Sequence, residues 1–206
     1  MWLRIRRSIA ELASDRRGNA ATEFSLIVPL MLVMFFGTVE FSSGVAVDRK
    51  VSLMARTLAD LASQNTAVTD TQLQNFFNAS AAIMWPYVTT PPPTPNPVNS
   101  TISELYIDPT TGVARVQWSQ GSAPRTVGAP APLPASLIGT DPVTKAILPN
   151  QYFLYSEINY QYLPTIGYVM AKGGVNLSDV AYTRPRQSTC VFYPPSTTSN
   201  PACPTS

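Results

Sequence analysis

The residues best placed to do chemistry stand near the N-terminus, in Gly18-Asn19-Ala20-Ala21-Thr22-Glu23-Phe24, between the basic pair Arg16-Arg17 and a long apolar run. An ordinary secretory signal is cut at small residues after its apolar core, whereas here the small residue precedes the core. A protease at the cytoplasmic membrane face could cut between Gly18 and Asn19, where glycine offers no side-chain obstruction, and leave the apolar helix on the product. Glu23 would then be residue 5 of the processed chain. A carboxylate dragged to the bilayer centre costs at least about 2.5–3.5 kcal/mol, so Glu23 needs a partner or a seat among the headgroups, where it also favours a helix N-terminus. On the residues alone both readings stand.

Little else in the chain has catalytic character. The 206 residues include no histidine, which removes Ser-His-Asp and Cys-His nucleophilic sites, zinc–histidine sites and imidazole acid–base chemistry. There is no CxxC, no glycine-rich phosphate loop and no carboxylate-rich metal loop, and Asp48, Asp60, Asp70, Asp108, Asp141 and Asp179 are scattered as caps, turns and solvated faces would be. The expectation is a protein that is not an enzyme and takes no cofactor or metal.

The elements that would position Gly18 and Glu23 follow from composition. Only 13% of residues are charged against 45% hydrophobic, so an apolar element is carried besides a core. The net charge of +2 is uneven: five arginines against Glu11 and Asp15 give residues 1–18 a charge of +3, and the rest of the chain −1. Basic residues crowded before an apolar run read as a membrane orientation signal and speak against nucleic acid. Residues 24–39 carry no charge, and Glu23 and Glu40 are the only charged groups in 19–47, long enough at 1.5 Å per residue to cross about 30 Å of hydrocarbon. Pro29 within it removes the amide that would bond the Ser25 carbonyl and lets the helix bend. The expected organisation is a cytoplasmic basic leader over 1–18, a transmembrane helix over 19–47 and a domain outside the membrane over 48–206.

That domain reads as α+β. Val47, Val51, Met54, Leu58 and Leu61 recur at spacings of 4, 3, 4 and 3 on a helix continuing from the membrane, a stripe that packs on its own domain or forms a partner seam. Thr69 or Asp70 caps a second helix through about Met84, with Leu73, Phe76, Phe77 and Ile83 on its apolar face. Trp85-Pro86 ends it, and the proline run 91–97 is a stiff connector. A hairpin follows, with strands around 102–107 and 113–118 and a turn at 108–112. Residues 121–150 read as loop, 151–162 as a strand with Tyr152, Leu154, Ser156, Ile158, Tyr160 and Tyr162 on one face, and 180–184 as a short strand or edge segment. Cys190 and Cys203, the only two cysteines, lie in a proline-rich tail (185–206) in an oxidising compartment if the orientation holds, and are expected to bridge; free thiols or an intermolecular bridge are the alternatives.

Gly18, Glu23 and Phe24 with the following LIVPLMLVMFFGTVEF, including Pro29 and Glu40-Phe41, resemble the prepilin-like N-terminus of the TadE-like family of bacterial tight-adherence pilus assembly proteins, most strongly over 16–64. The likeness extends more loosely through ISELYIDPTTGVARVQWS, YFLYSEINYQYLP and LSDVAYTRPR. The proline run 91–97 maps onto no family feature, and the DxSxS metal motif of larger relatives is missing. The resemblance implies a pilin-like pseudopilin of the bacterial inner membrane, with 48–206 as its periplasmic domain, processed between Gly18 and Asn19 by a prepilin peptidase. It implies that Glu23 pairs with the free α-amine of a neighbouring subunit. Its partners would be other pseudopilins, the major pilin, the inner-membrane assembly machinery and membrane lipid. The rival readings are an uncleaved single-pass envelope protein tethering a binding domain, and an envelope enzyme.

Overall fold

The computed structural model describes residues 17–88, 96–164 and 173–193. One helix dominates: α1, Arg17–Ser63, runs 47 residues without interruption, Pro29 included. Its two halves meet different surroundings. From Ala20 to Val39 every side chain is exposed except Val28 and Gly37, which are half-buried. The first buried one is Glu40, and beyond it Val47, Val51, Met54, Ala55, Leu58, Ala59 and Ala62 form a continuous buried stripe. The expected heptad stripe thus packs on its own domain. Leu61 is only half-buried and Ala62 takes its place, because the small alanines at 55, 59 and 62 widen the stripe and let the sheet approach closely.

Helix α2, Asp70–Ala81, is capped as expected: Gln72 N–H bonds the Thr69 hydroxyl while the Gln72 side chain accepts from the Thr69 N–H. It ends three residues earlier than the sequence reading, in a 3₁₀ turn over Ala82–Met84. Lys50 of α1 fastens that turn, its Nζ donating to the Ile83 and Trp85 carbonyls at 2.8 and 2.7 Å. Leu73 is buried and Phe76, Phe77 and Ile83 pack beside it. Most of the proline run lies outside the described residues.

Four strands make one antiparallel sheet in the order β2-β1-β3-β4. They are β1, Val98–Ile107, β2, Ala114–Gly121, β3, Tyr152–Tyr162, and β4, Val175–Thr183. The hairpin turn is where the sequence puts it: Asp108 accepts from the Thr110 amide and Thr111 hydroxyl, and Gly112 takes φ +71°, a conformation that favours glycine. Two strands are longer than the residues announce. β1 begins at Val98, directly after the proline run, and β4 begins at Val175. Asn176, Ser178 and Asp179 hide β4 from a propensity reading; as an edge strand it needs only one buried face.

The sheet is covered on both sides. Helix α1 lies on the face that carries Ile102, Trp118, Leu154 and Ile158, and Ser156 Oγ donates to the Ala55 carbonyl across that interface at 2.6 Å. Residues 121–150 form a loop, as expected, with a 3₁₀ turn at Ala135–Leu137. That loop is the cover of the other face, where Leu105, Ile107, Val116, Phe153 and Tyr155 meet Leu133, Leu137 and Ile147. A register shift in the β1–β2 pair allows both cores: Glu104 faces Trp118 and Leu105 faces Val116, so Gln117 is the bulged residue. Val116 and Trp118, which strict alternation would put on one face, thereby enter opposite cores.

Candidate functional site

The exposed half of α1 is apolar all round: Leu26, Ile27, Leu30, Met31, Val33, Met34, Phe35 and Phe36 are all exposed. Only 6% of its most apolar 18-residue stretch, of mean hydropathy 2.0, is buried by protein. A helix apolar on every side and scarcely covered by protein suggests a membrane anchor. Its hydroxyls are arranged for such a setting. Ser25 Oγ donates to the Thr22 carbonyl at 2.9 Å, Thr38 Oγ1 to Met34 at 2.8 Å and Ser43 Oγ to Val39 at 3.0 Å, so each is satisfied within the helix.

Gly18 and Asn19 lie in the first turn of this helix, and Glu23 is exposed about one turn further on. The three therefore sit together at one end of the apolar segment. Residues 1–16 of the expected basic leader over 1–18 lie outside the described residues, and its last two begin the helix. Pro29 is embedded in unbroken helix and faces outward. Cys190 is buried in the domain, whereas Cys203 lies outside the described residues. Cys190 is thus far along the chain from the N-terminal group and belongs to a different part of the molecule.

That part contains a polar centre that pattern reading missed. Glu104, fully buried on β1, accepts from the Val191 amide at 2.5 Å and from Trp118 Nε1 at 3.0 Å; the same indole N–H also donates to the Val191 carbonyl at 2.8 Å. Burial pushes the Glu104 carboxyl up to about 8, against the two donors, which favour the charged form. Neighbouring bonds fasten the same segment: Phe192 exchanges backbone hydrogen bonds with Thr66 and Val68, and the Tyr193 hydroxyl meets Asp70 and Gln120. Burial and the Asp70 carboxylate raise the Tyr193 phenol to about 12. The centre is a structural clamp, closing the segment 190–193 over the end of α1. In sequence Glu104 is one polar residue in an alternating strand, and nothing local marks it as buried.

On the outer face Arg125 holds Glu157 through Nε and Nη2, both at 2.6 Å, and Tyr155 donates to the same carboxylate at 2.9 Å. Burial alone would raise Glu157, but these hydrogen bonds and the guanidinium charge hold it below the usual range. A groove of about 760 Å³ opens between α2 and the β1–β2 end of the sheet, with Leu73, Phe77 and Val98 on its apolar wall and Gln74, Asn78 and Gln120 on its polar one. Among the described residues no basic side chain lines it. Among the described residues its lining offers hydrogen bonds, apolar contact and the carboxylate of Asp70.

Residues 18–60 match the family model of the TadE-like proteins. The matched segment contains the Gly18–Glu23 group, the exposed apolar half of α1 and most of its packed half, and it suggests a Tad pilus-associated protein. No curated protein and no solved structure matches the chain.

Proposed function

We propose that this chain, TadE-like over residues 18–60, is a pseudopilin that acts in assembly of a tight-adherence type IV pilus, with a structural and not a catalytic role. The observation that carries the reading is the conjunction of Gly18, Asn19 and Glu23 at the start of a helix whose next 16 residues are uncharged, mostly apolar and, except for the half-buried Val28 and Gly37, exposed. Bare apolar helices of this kind gather in lipid, and a carboxylate near their N-terminal ends becomes tolerable when a cation of another subunit meets it. Cleavage between Gly18 and Asn19 by a prepilin peptidase supplies that cation as a new α-amine. Processing and pairing are then coupled, since the amine exists only after the cut. The N-terminus lies in the cytoplasm and the domain in the periplasm, anchored at the bacterial inner membrane. The major pilin, other pseudopilins and the inner-membrane assembly machinery are its partners.

Two variants test this. N-terminal sequencing of protein extracted from membranes reads NAATEF, and Gly18→Leu leaves the full-length chain; an intact Met1 in the wild type, with the peptidase present, refutes the processing step. Glu23→Ala is still cut and inserted but supports no pili, because only the intermolecular pair is lost. Wild-type piliation in that variant would return Glu23 to the headgroups as a bystander.

A further inference from the structure

We infer that the globular domain is seated in the lipid headgroup layer, with Leu163, directly after the end of β3, against lipid. The inference rests on the membrane anchor of the preceding reading and goes beyond it, because an anchor alone would equally serve a domain held clear of the bilayer.

The depth follows from counting along α1. With Glu23 at the inner boundary, a rise of about 1.5 Å per residue puts Glu40 about 26 Å and Gly44 about 32 Å along the axis, against a hydrocarbon thickness of about 30 Å. A tilt of about 20° brings these depths to about 24 and 30 Å. Glu40 therefore lies at hydrocarbon depth and Gly44 at the outer boundary. Yet Glu40 is only 4% exposed, the first buried side chain of the helix. At the next turn the Tyr162 ring comes within 3.7 Å of where a Cβ on Gly44 would stand. The sheet thus reaches down to the boundary and, with the rest of the domain, takes the place of lipid around Glu40.

The boundary cannot be moved inward to free the domain. On the other side of the helix at the same level Phe41 is 65% exposed and Val45 is exposed too, and after Glu40 the next charged residue is Asp48. Water at that depth would wet Phe41. Leu163, directly after Tyr162, is 63% exposed at the same end of the sheet, an apolar side chain presented outward where headgroups and acyl chains meet. The domain then acts as a stop that sets how far α1 can sink, and it shields the one carboxylate that would otherwise face acyl chains.

The test is a photo-crosslinking amino acid placed singly at Val33, Val143 or Leu163 of the full chain, reconstituted in phospholipid vesicles and read for lipid adducts by mass spectrometry. Val143, in the 121–150 loop, is 86% exposed and serves as the water-facing reference. Lipid adducts at positions 33 and 163, and several-fold fewer at 143, are expected. Adducts at 33 with a yield at 163 no higher than at 143 overturn the seating and leave the anchor standing. No adduct at 33 overturns the anchor and the seating together. Adducts at 163 to protein in place of lipid also overturn the seating, and assign that end of the sheet to a protein partner.

Discussion

The two halves of α1 have the same backbone and opposite surroundings. Between Phe24 and Val39 apolar residues occupy every face and all but the half-buried Val28 and Gly37 stay exposed; between Val47 and Ala62 they concentrate in one buried stripe, with Leu53 exposed outside it and Leu61 half-buried at its edge, while Asp48, Arg49 and Arg56 point out. The arrangement of apolar residues around the helix therefore tells which medium the helix meets, and the amount of apolar residue does not. A continuous ring calls for an apolar solvent, and a stripe calls for a protein surface. The change occurs at Glu40, where a charged residue becomes buried because the sheet begins to cover the helix there.

The sharpest way to break this comparison is the same truncation in both halves. Leu58→Ala, within the buried stripe, should cost the domain about 2–5 kcal/mol through lost transfer energy and the cavity left behind. Val33→Ala, in the exposed half, should leave domain stability within about 0.5 kcal/mol. Thermal unfolding in detergent, followed by near-ultraviolet circular dichroism of the buried Trp118, checks both. Equal losses would mean that the exposed half packs on the domain after all.

The segment that closes the packed half gives the next test. Arg186 N–H bonds the Ser63 carbonyl, its guanidinium meets Asp60, and residues 190–193 cross to Thr66 and Glu104. If Cys190 bridges Cys203, Cys190→Ser should lower stability by up to about 3 kcal/mol, the entropy of closing so short a loop, and raise protease sensitivity after Val180. The unreduced monomer should be lighter by the mass of two hydrogens. Two freely alkylated thiols in protein extracted from membranes would reject the bridge and the orientation from which it was inferred.

A further effect separates the halves by pH. Glu104 lies wholly on the packed side, and its raised value means that the fold favours the neutral carboxyl. Its contribution is therefore fully present below the unfolded value of 4.5 and is lost as pH rises through about 8, with a slope of at most about 1.4 kcal/mol per pH unit. Stability measured from pH 5 to pH 8 should fall. Glu104→Gln should flatten that fall while lowering stability throughout, because an amide offers Val191 N–H and Trp118 Nε1 only one acceptor oxygen between them. An unchanged slope in the variant would place the pH dependence elsewhere.

Much of the molecule is legible without coordinates, for a common reason. The apolar run, the stripe, the Thr69–Gln72 cap and the Asp108–Gly112 turn are local: each is written in residues within a few positions of one another, at periods set by helix or turn geometry. Gly18, Asn19 and Glu23 belong to the same class, since their candidate role depends on distance along one helix. The early start of β1 and the length of β4 were not legible, because Asn99-Ser100-Thr101 of β1 and Asn176, Ser178 and Asp179 of the edge strand β4 are held by pairing to β3 and not by their own propensity.

What the sequence determined by itself is therefore the linear plan: basic block, glycine, carboxylate, apolar ring, amphipathic stripe, then hairpin and strand. Only the tertiary structure decided which side of the sheet each residue joined. The bulge at Gln117 sends Val116 and Trp118 into separate cores, and a proline-rich loop proves to be the cover of one of them. Glu104 is buried because a segment 87 residues away brings an amide to it. Glu40 is sheltered by a sheet that begins 58 residues later. Contacts at such separations leave no periodic trace in the chain, since the energy that selects them belongs to both partners at once and to neither alone.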